Sequence, residues 1–423
     1  MIKLNISNST VTELKSEHDY IAKYLDNIYQ RGQGFYNVID DEKTVDDILK
    51  FAKKIKGKFK DIVVLGIGGS ALGTICLQQS LKHLYENELE KRKFPRLHVL
   101  DNIDPLFIKQ LEDVISLEKT LFITISKSGD TPETLAQYFY FRSVVEKKGL
   151  NAKDHFVFIT DAEKGFLREV SQDEDIPSFE IPQNVGGRFS VLTSVGLLPA
   201  ALIGIDIKEL IKGAKEMRDS FYSDSVEHNL PFQIATIQYL LSFEGKIMTV
   251  LIPYSQKLIR FADWYRQLLA ESIGKAKDDH GNTVNIGLTP INALGVTDQH
   301  SQNQLYNEGP NDKFFIFIRV NDFGCDMEIP VTHPENKSVN YLKGVSFEKL
   351  MHTEQEGTLQ ALTQNERPNI TLEIDRVDEK TIGGMFMLFE CATAFLGEFF
   401  NINAFDQPGV ELSKKITKKL LSL

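Results

Sequence analysis

Ile62 to Gly73 reads IVVLGIGGSALG: an apolar, β-branched run, a turn with glycines at 66, 68 and 69, and the opening of a helix. A short apolar run closed by glycine predicts a strand buried on both faces. The glycines let the backbone approach an anion, and the helix that follows offers it unpaired N–H groups. Three runs of similar length, Leu97 to Leu100, Leu121 to Ile125 and Phe156 to Ile159, alternate with helical patterns. That alternation predicts a parallel sheet covered by helices on both faces. The second half repeats the theme less regularly, with apolar runs at Ile247 to Ile252, Phe314 to Val320 and Ile370 to Ile374. Long helical patterns cover 256–273 and 379–400. The expected fold class is α/β, with two doubly wound domains of mostly parallel sheets.

Val11, Leu14, Tyr20, Ile21, Tyr24, Leu25 and Ile28 recur at helical spacing before a turn at Gly32 to Gly34. They predict a helical arm ahead of the first domain. The expected organisation is an N-terminal helical arm over 1–44, domains over 45–205 and 206–400, and a C-terminal helical arm over 401–423. A length of 423 residues suits two domains, with the crevice between them as the first place to look for a site.

A net charge of −11 argues against nucleic acid or an anionic membrane as the main partner, because both need clustered Lys and Arg. An anionic substrate must then meet a locally positive site. Cys76, Cys325 and Cys391 are widely spaced and show no CxxC pairing, so neither a disulfide framework nor a thiolate zinc site is expected. Residues 1–9 lack the apolar run of a signal peptide, and the apolar stretches elsewhere read as too short to span a bilayer. The expected location is cytoplasmic.

Three loops carry chemistry. The first, at Gly66 to Gly73, is a phosphate-facing turn, a tight strand-to-helix turn with no ligand, or a dinucleotide fingerprint on Gly66, Gly68 and Ala71. The last reading places the next strand-end acid, Asp101, thirty residues after Ala71 instead of about twenty. The second loop, Ser126-Lys127-Ser128-Gly129-Asp130-Thr131-Pro132-Glu133-Thr134, crowds hydroxyls and a lysine into a strand-to-helix junction. Such a junction holds phosphate without a metal. Thr131 as N-cap and Pro132 behind it are also ordinary capping choices, which leaves Ser126, Lys127 and Ser128 unaccounted for. In the third, Gly186-Gly187-Arg188-Phe189-Ser190, the glycines would let Arg188 reach inward to a developing oxyanion; the alternative is a structural ion pair. The stretch Lys277 to Gly281 holds Asp278, Asp279 and His280, but adjacent residues on one turn seldom converge on one ion, so it reads as a polar loop.

Taken with WYRQLLAESIGK at Trp264 to Lys275, TDQHSQ at Thr297 to Gln302 and FDQPGVELSKK at Phe405 to Lys415, these loops resemble the phosphoglucose isomerase family, motif by motif and in family order. The resemblance implies two sugar-isomerase domains and reversible conversion of glucose 6-phosphate to fructose 6-phosphate through an enediolate, with no cofactor and no metal. It assigns proton transfer to Glu271, ring opening to His300 with Lys414, and enediolate stabilisation to Arg188. It gives Ser70, Ser126, Ser128 and Thr131 to the phosphate, with Gly69 and Lys127 in the same loops, and Gln267 and Gln407 to polar contacts with substrate. It also implies a homodimer in which the histidine reaches the neighbouring subunit's site.

The chemistry suits these residue types. A carboxylate beside an open-chain sugar can take a carbon-bound proton and return it to the adjacent carbon, and ring opening needs an acid and a base. Gln267 lies one turn before Glu271 on the same helix face. Without its motif Glu271 would read as a solvated helix glutamate, and Lys414, with Lys415, Lys418 and Lys419, as a basic helix end. Three rivals stand beside this reading: an isomerase that also accepts mannose 6-phosphate, a non-catalytic sugar-phosphate sensor, and a dehydrogenase resting on the glycine motif alone.

Overall fold

Strands buried on both faces need two cores, and side-chain parity along each strand assigns residues to one or the other. In the computed structural model, which describes residues 2–11 and 21–422, twelve strands are formed among those residues. A short strand, β1 (Ile2–Asn5), precedes the first sheet of β2 (Asp61–Leu65), β3 (Arg96–Leu100), β4 (Thr120–Ser126), β5 (Phe156–Thr160) and β6 (Ser178–Glu180). Then come β7 (Met248–Pro253), a hairpin of β8 (Lys275–Lys277) with β9 (Thr283–Ile286), β10 (Thr289–Asn292), β11 (Lys313–Val320) and β12 (Asn369–Ile374).

The first sheet runs β3-β2-β4-β5-β6 and is parallel throughout. The second runs β1-β12-β11-β7-β10, parallel except for β1. Two doubly wound α/β units are thus present. Each reverses its strand order once, between β2 and β4 and between β7 and β11, and the carboxyl ends of such strands frame the crevice where this architecture binds ligands.

Ile62 and Val64 face a central core shared with Leu251, Ile316 and the helix Glu379–Phe399, whereas Val63 and Leu65 face Phe122, Phe141 and Phe158 outside. Phe315 and Phe317 similarly turn to a third cluster with Tyr254 and Tyr306. The helix Glu379–Phe399 is buried at every position from Thr381 to Gly397. At 21 residues it corrects the expectation that no apolar stretch is long enough to cross a membrane. It lies instead along Ile207–Phe221 at glycine crossings, where a Cβ on Gly383 would come within 1.8 Å of the Leu210 carbonyl oxygen. Ile207–Phe221 begins directly after the boundary expected between 205 and 206; its N-cap Asp206 accepts from the amides of Lys208 and Glu209.

The N-terminal segment differs from expectation. Residues 2–5 are extended and pair antiparallel with β12, with Ile2 and Leu4 turned toward the core. The arm helix covers Ile21–Gln30; Leu14 and Tyr20, read as part of it, lie outside the described residues.

Glu390 sits fully buried in that central helix, and neither carboxylate oxygen has a hydrogen-bond partner among the described residues. Burial raises its pKa well above the usual carboxyl range. The native state therefore keeps a proton that the unfolded chain releases near pH 4.5. Stability must fall as pH rises from that value toward the native pKa. Glu390→Gln is expected to be more stable than wild type at pH 8 by at least ~1 kcal/mol, the equivalent of one pKa unit. The gap should close near pH 4, as measured by urea unfolding at both pH values.

Candidate active site

The loop after β2 and the loop after β4 leave the first sheet at its point of strand reversal, side by side. Gly68 takes φ +58°, a conformation favouring glycine, within the tight turn Gly68–Ser70. A Cβ on Gly69 would lie 2.2 Å from the Gly187 carbonyl oxygen, so the first and third motif loops touch backbone to backbone. That close approach explains Gly69, whereas a Cβ on Gly187 itself would meet nothing within 4 Å.

In the second loop the Ser126 and Thr131 hydroxyls lie 2.8 Å apart, and the Thr131 amide donates to Ser126 Oγ at 3.4 Å. Thr131 holds the N-cap position but its side chain caps no helix amide, contrary to the capping alternative. Ser128 is exposed at the turn and accepts from the Asp130 amide at 3.2 Å. Lys127 turns elsewhere: its ammonium donates to the carbonyls of Gln183 (2.7 Å) and Val185 (2.9 Å), tying this loop to the segment that leads to Arg188. Burial draws the pKa of Lys127 down.

The helix Ile259–Ile273 of the second unit ends against the first and third loops and delivers Glu271. Gln267 reaches over Gly68, and its Nε2 donates to Glu271 Oε1 at 3.1 Å. Its side-chain carbonyl oxygen is buried with no partner among the described residues. Arg188 is 3% exposed. It donates to Ser272 Oγ (2.7 Å), Gln407 Oε1 (2.9 Å) and the carbonyls of Ala404 (2.6 Å) and Asp406 (3.1 Å), and its Nη1 lies 3.4 Å from Glu271 Oε2. Burial lowers its pKa, and Glu271 and Asp406 oppose that pull. The glutamate side chain keeps 35% exposure, against 2% for the arginine. The arrangement is a fixed cation under a carboxylate that remains open to a ligand.

Lys275 is a site residue that the sequence reading leaves unassigned. Its ammonium donates to the carbonyls of Glu271 (2.7 Å), Ser272 (3.0 Å) and Asp406 (3.0 Å). Burial first, and the nearby Arg188 second, lower its pKa to about 8. Its lysine-to-carbonyl contacts satisfy the helix's C-terminal oxygens and fasten the helix to the 404–407 segment. Sequence supplies no signal for this, because all three hydrogen-bond partners are backbone atoms.

Two assigned residues stand apart. His300 is exposed at the end of a turn after β10 and has no side-chain partner among the described residues. The turn itself is braced: Asp298 accepts from the Leu294 amide at 2.7 Å, and Gln299 accepts from the Tyr254 hydroxyl at 2.8 Å. Lys414 lies on Glu411–Leu421, a helix with no buried residue, and its ammonium pairs with Glu411 at 2.9 Å. No group of three His, Cys, Asp or Glu side chains gathers as a metal-ligand set among the described residues. In the Lys277 to Gly281 loop, Asp278 accepts local backbone amides and Asp279 pairs with Arg31 at 2.6 Å.

The chain is similar to known proteins along most of its length. A family model described as phosphoglucose isomerase matches residues 49–422. A glucose-6-phosphate isomerase of Carboxydothermus hydrogenoformans is 46% identical over 90% of this chain and 82% of its own length. One from Clostridioides difficile is 34% identical over 98% of this chain and 95% of its own length. A solved hypothetical protein of Thermus thermophilus superposes at TM-score 0.91 with 33% identity, covering all of both chains. A glucose-6-phosphate isomerase of Chlamydia trachomatis shares the fold at TM-score 0.78 and 23% identity, covering 97% of this chain and 76% of its own. With all six motifs on one fold and the first and third loops meeting Glu271 through Gln267 and Arg188, the chain belongs to the phosphoglucose isomerase family.

Proposed function

We propose that the chain interconverts glucose 6-phosphate and fructose 6-phosphate at the crevice between its two units, with Glu271 as the proton carrier. The observation that carries the reading is Glu271 itself: half open, braced by Gln267 and set against the buried guanidinium of Arg188. The loops at Ser70 and at Ser126 to Thr131 receive the phosphate, which leaves the reacting carbons toward Glu271. The Glu271 carboxylate takes the proton from carbon 2 of the open aldose, and the C–H electrons form the carbon 1–carbon 2 double bond as the carbonyl becomes an oxyanion. Arg188 offsets that charge. The hydroxyl proton on oxygen 2 then passes to the oxyanion on oxygen 1, the carboxyl of Glu271 returns its proton to carbon 1, and the electrons of the carbon–carbon double bond form that C–H bond as carbon 2 becomes the carbonyl.

Ring opening falls to His300 and Lys414. The exposure of His300 on a braced turn supports delivery to the site of a second copy in a homodimer. Lys414 reaches the site once its helix, bare of buried contacts in one chain, settles against that assembly. Gln407, fixed by Arg188, marks where the segment leading to that helix leaves the site. Three unpaired cysteines, two of them buried, suit a reducing cytoplasm.

Mixing inactive variants tests both the chemistry and the sharing. Glu271→Gln and His300→Ala chains, each nearly inactive alone, are dissociated and reassociated together, and fructose 6-phosphate formation is followed. A shared site restores one complete Glu271–His300 pair per mixed dimer, so activity returns toward about a quarter of wild type, since half of random dimers are mixed and each carries one intact site. No recovery in verified mixed dimers would place His300 in its own chain's site.

A further inference from the structure

Residues 50–60 read KFAKKIKGKFK, six lysines and no acid in eleven positions of a chain whose net charge is −11. The segment ends the helix Glu42–Ile55 and leads into β2, so it lies at the amino edge of the first sheet, opposite the phosphate-facing loops. The five-residue strand β2 separates the two by roughly 16 Å. Lys50 pairs with Asp47 at 3.0 Å. Lys53, Lys54, Lys56 and Lys58 have no ion-pair partner among the described residues. The helix dipole accounts for lysines in the last turn, Lys53 and Lys54, but not for those beyond it.

A cavity of about 360 Å³ opens here, between the end of that helix, the run into β3 and the end of the helix Ser194–Leu202. Lys53, Lys56 and Lys93 are at its mouth, Phe59, Phe94 and Leu202 are among its apolar walls, and no acidic side chain lines it. Phe94 is held firmly: a Cβ on Gly204 would lie 2.2 Å from its ring, and the Lys93 ammonium lies 5.4 Å from the ring centre. Three like charges around a low-dielectric recess repel one another and are relieved by an anion. The walls offer aromatic and aliphatic surface with no side-chain hydroxyl, amide or carboxylate to pair with sugar hydroxyls, so the substrate itself is a poor match. The volume is at the lower end of small-molecule sites, ~300–1,000 Å³.

We propose that this cavity is a second binding site, distinct from the isomerase site, for a small organic anion: a phosphate, sulfonate or carboxylate carried on a flat apolar body. The dye 8-anilinonaphthalene-1-sulfonate has that chemistry and brightens when desolvated. Titrated into the full-length protein with fructose 6-phosphate saturating, it is expected to fill one saturable site per chain. Lys53→Glu/Lys93→Glu, which changes only exposed side chains, should weaken it at least tenfold. Ala201→Trp, which fills the cavity and leaves every charge, should weaken it as much. Isomerase activity close to wild type in both variants shows that the fold is intact. Wild-type dye affinity in either variant, or no saturable binding to wild type, would overturn the proposal; the first result would move the dye to another apolar surface, such as the exposed Leu412 and Leu420 of the last helix.

Discussion

Glu271→Gln is expected to lower kcat by about 10²–10⁴-fold while leaving KM for glucose 6-phosphate within a few-fold of wild type. Glutamine has the same length and shape, so it stays within reach of Gln267 and Arg188. Its amide cannot accept a carbon-bound proton. The loops proposed to receive the phosphate, at Ser70 and at Ser126 to Thr131, belong to the first sheet, and none of the hydrogen bonds of Ser126, Ser128 and Thr131 runs through Glu271. Binding and proton transfer are therefore separable, which a coupled assay of fructose 6-phosphate formation reads directly. Glu271→Asp should fall in between, because it keeps the carboxylate but withdraws it by one methylene. A glutamine variant with wild-type kcat would remove Glu271 from the chemistry and leave it as a partner of Arg188.

What the sequence reading can reach follows from where each signal lies. Buried parallel strands advertise themselves as unbroken apolar runs, so β2, β4, β5, β11 and β12 are readable within a residue or two. β1 and β10 are not: each is a four-residue strand at a sheet edge, too short to carry a pattern. Motif loops name Glu271, Arg188, Gln267 and Gln407, and the fold joins these four in one network. Lys275 goes unassigned because carbonyls have no sequence signature. Lys127 shows the reverse case, a motif lysine whose charge is tied to two carbonyls of a neighbouring loop. His300 and Lys414 carry motif signals too, yet a single chain leaves both exposed, since whatever completes their surroundings is not encoded in local spacing.

Arg188→Met should damage stability and turnover together, and the two losses can be told apart. The guanidinium is buried, and its five polar contacts join the Glu271 helix to the 404–407 segment. Removing it strips the Ala404 carbonyl of a charged donor and leaves Glu271 without its cation. Each buried acceptor left without its charged donor costs about 1–3 kcal/mol, which a urea midpoint measures. In the proposed mechanism catalysis loses a donor aimed at developing negative charge, worth about 10²–10³ in kcat. Measuring kcat per folded molecule, at low temperature and saturating substrate, isolates the second effect. An arginine that served only as a brace would leave that value at wild type. Lys275 supplies an internal check, because Arg188 contributes to holding its pKa near 8. A lysine depressed in the native state makes stability rise with pH from about 8 up to the ordinary lysine value, ~10.4. In Arg188→Met that rise should shrink, since one of the two forces lowering the pKa is gone, and unfolding curves at pH 8 and pH 10 report it independently of activity.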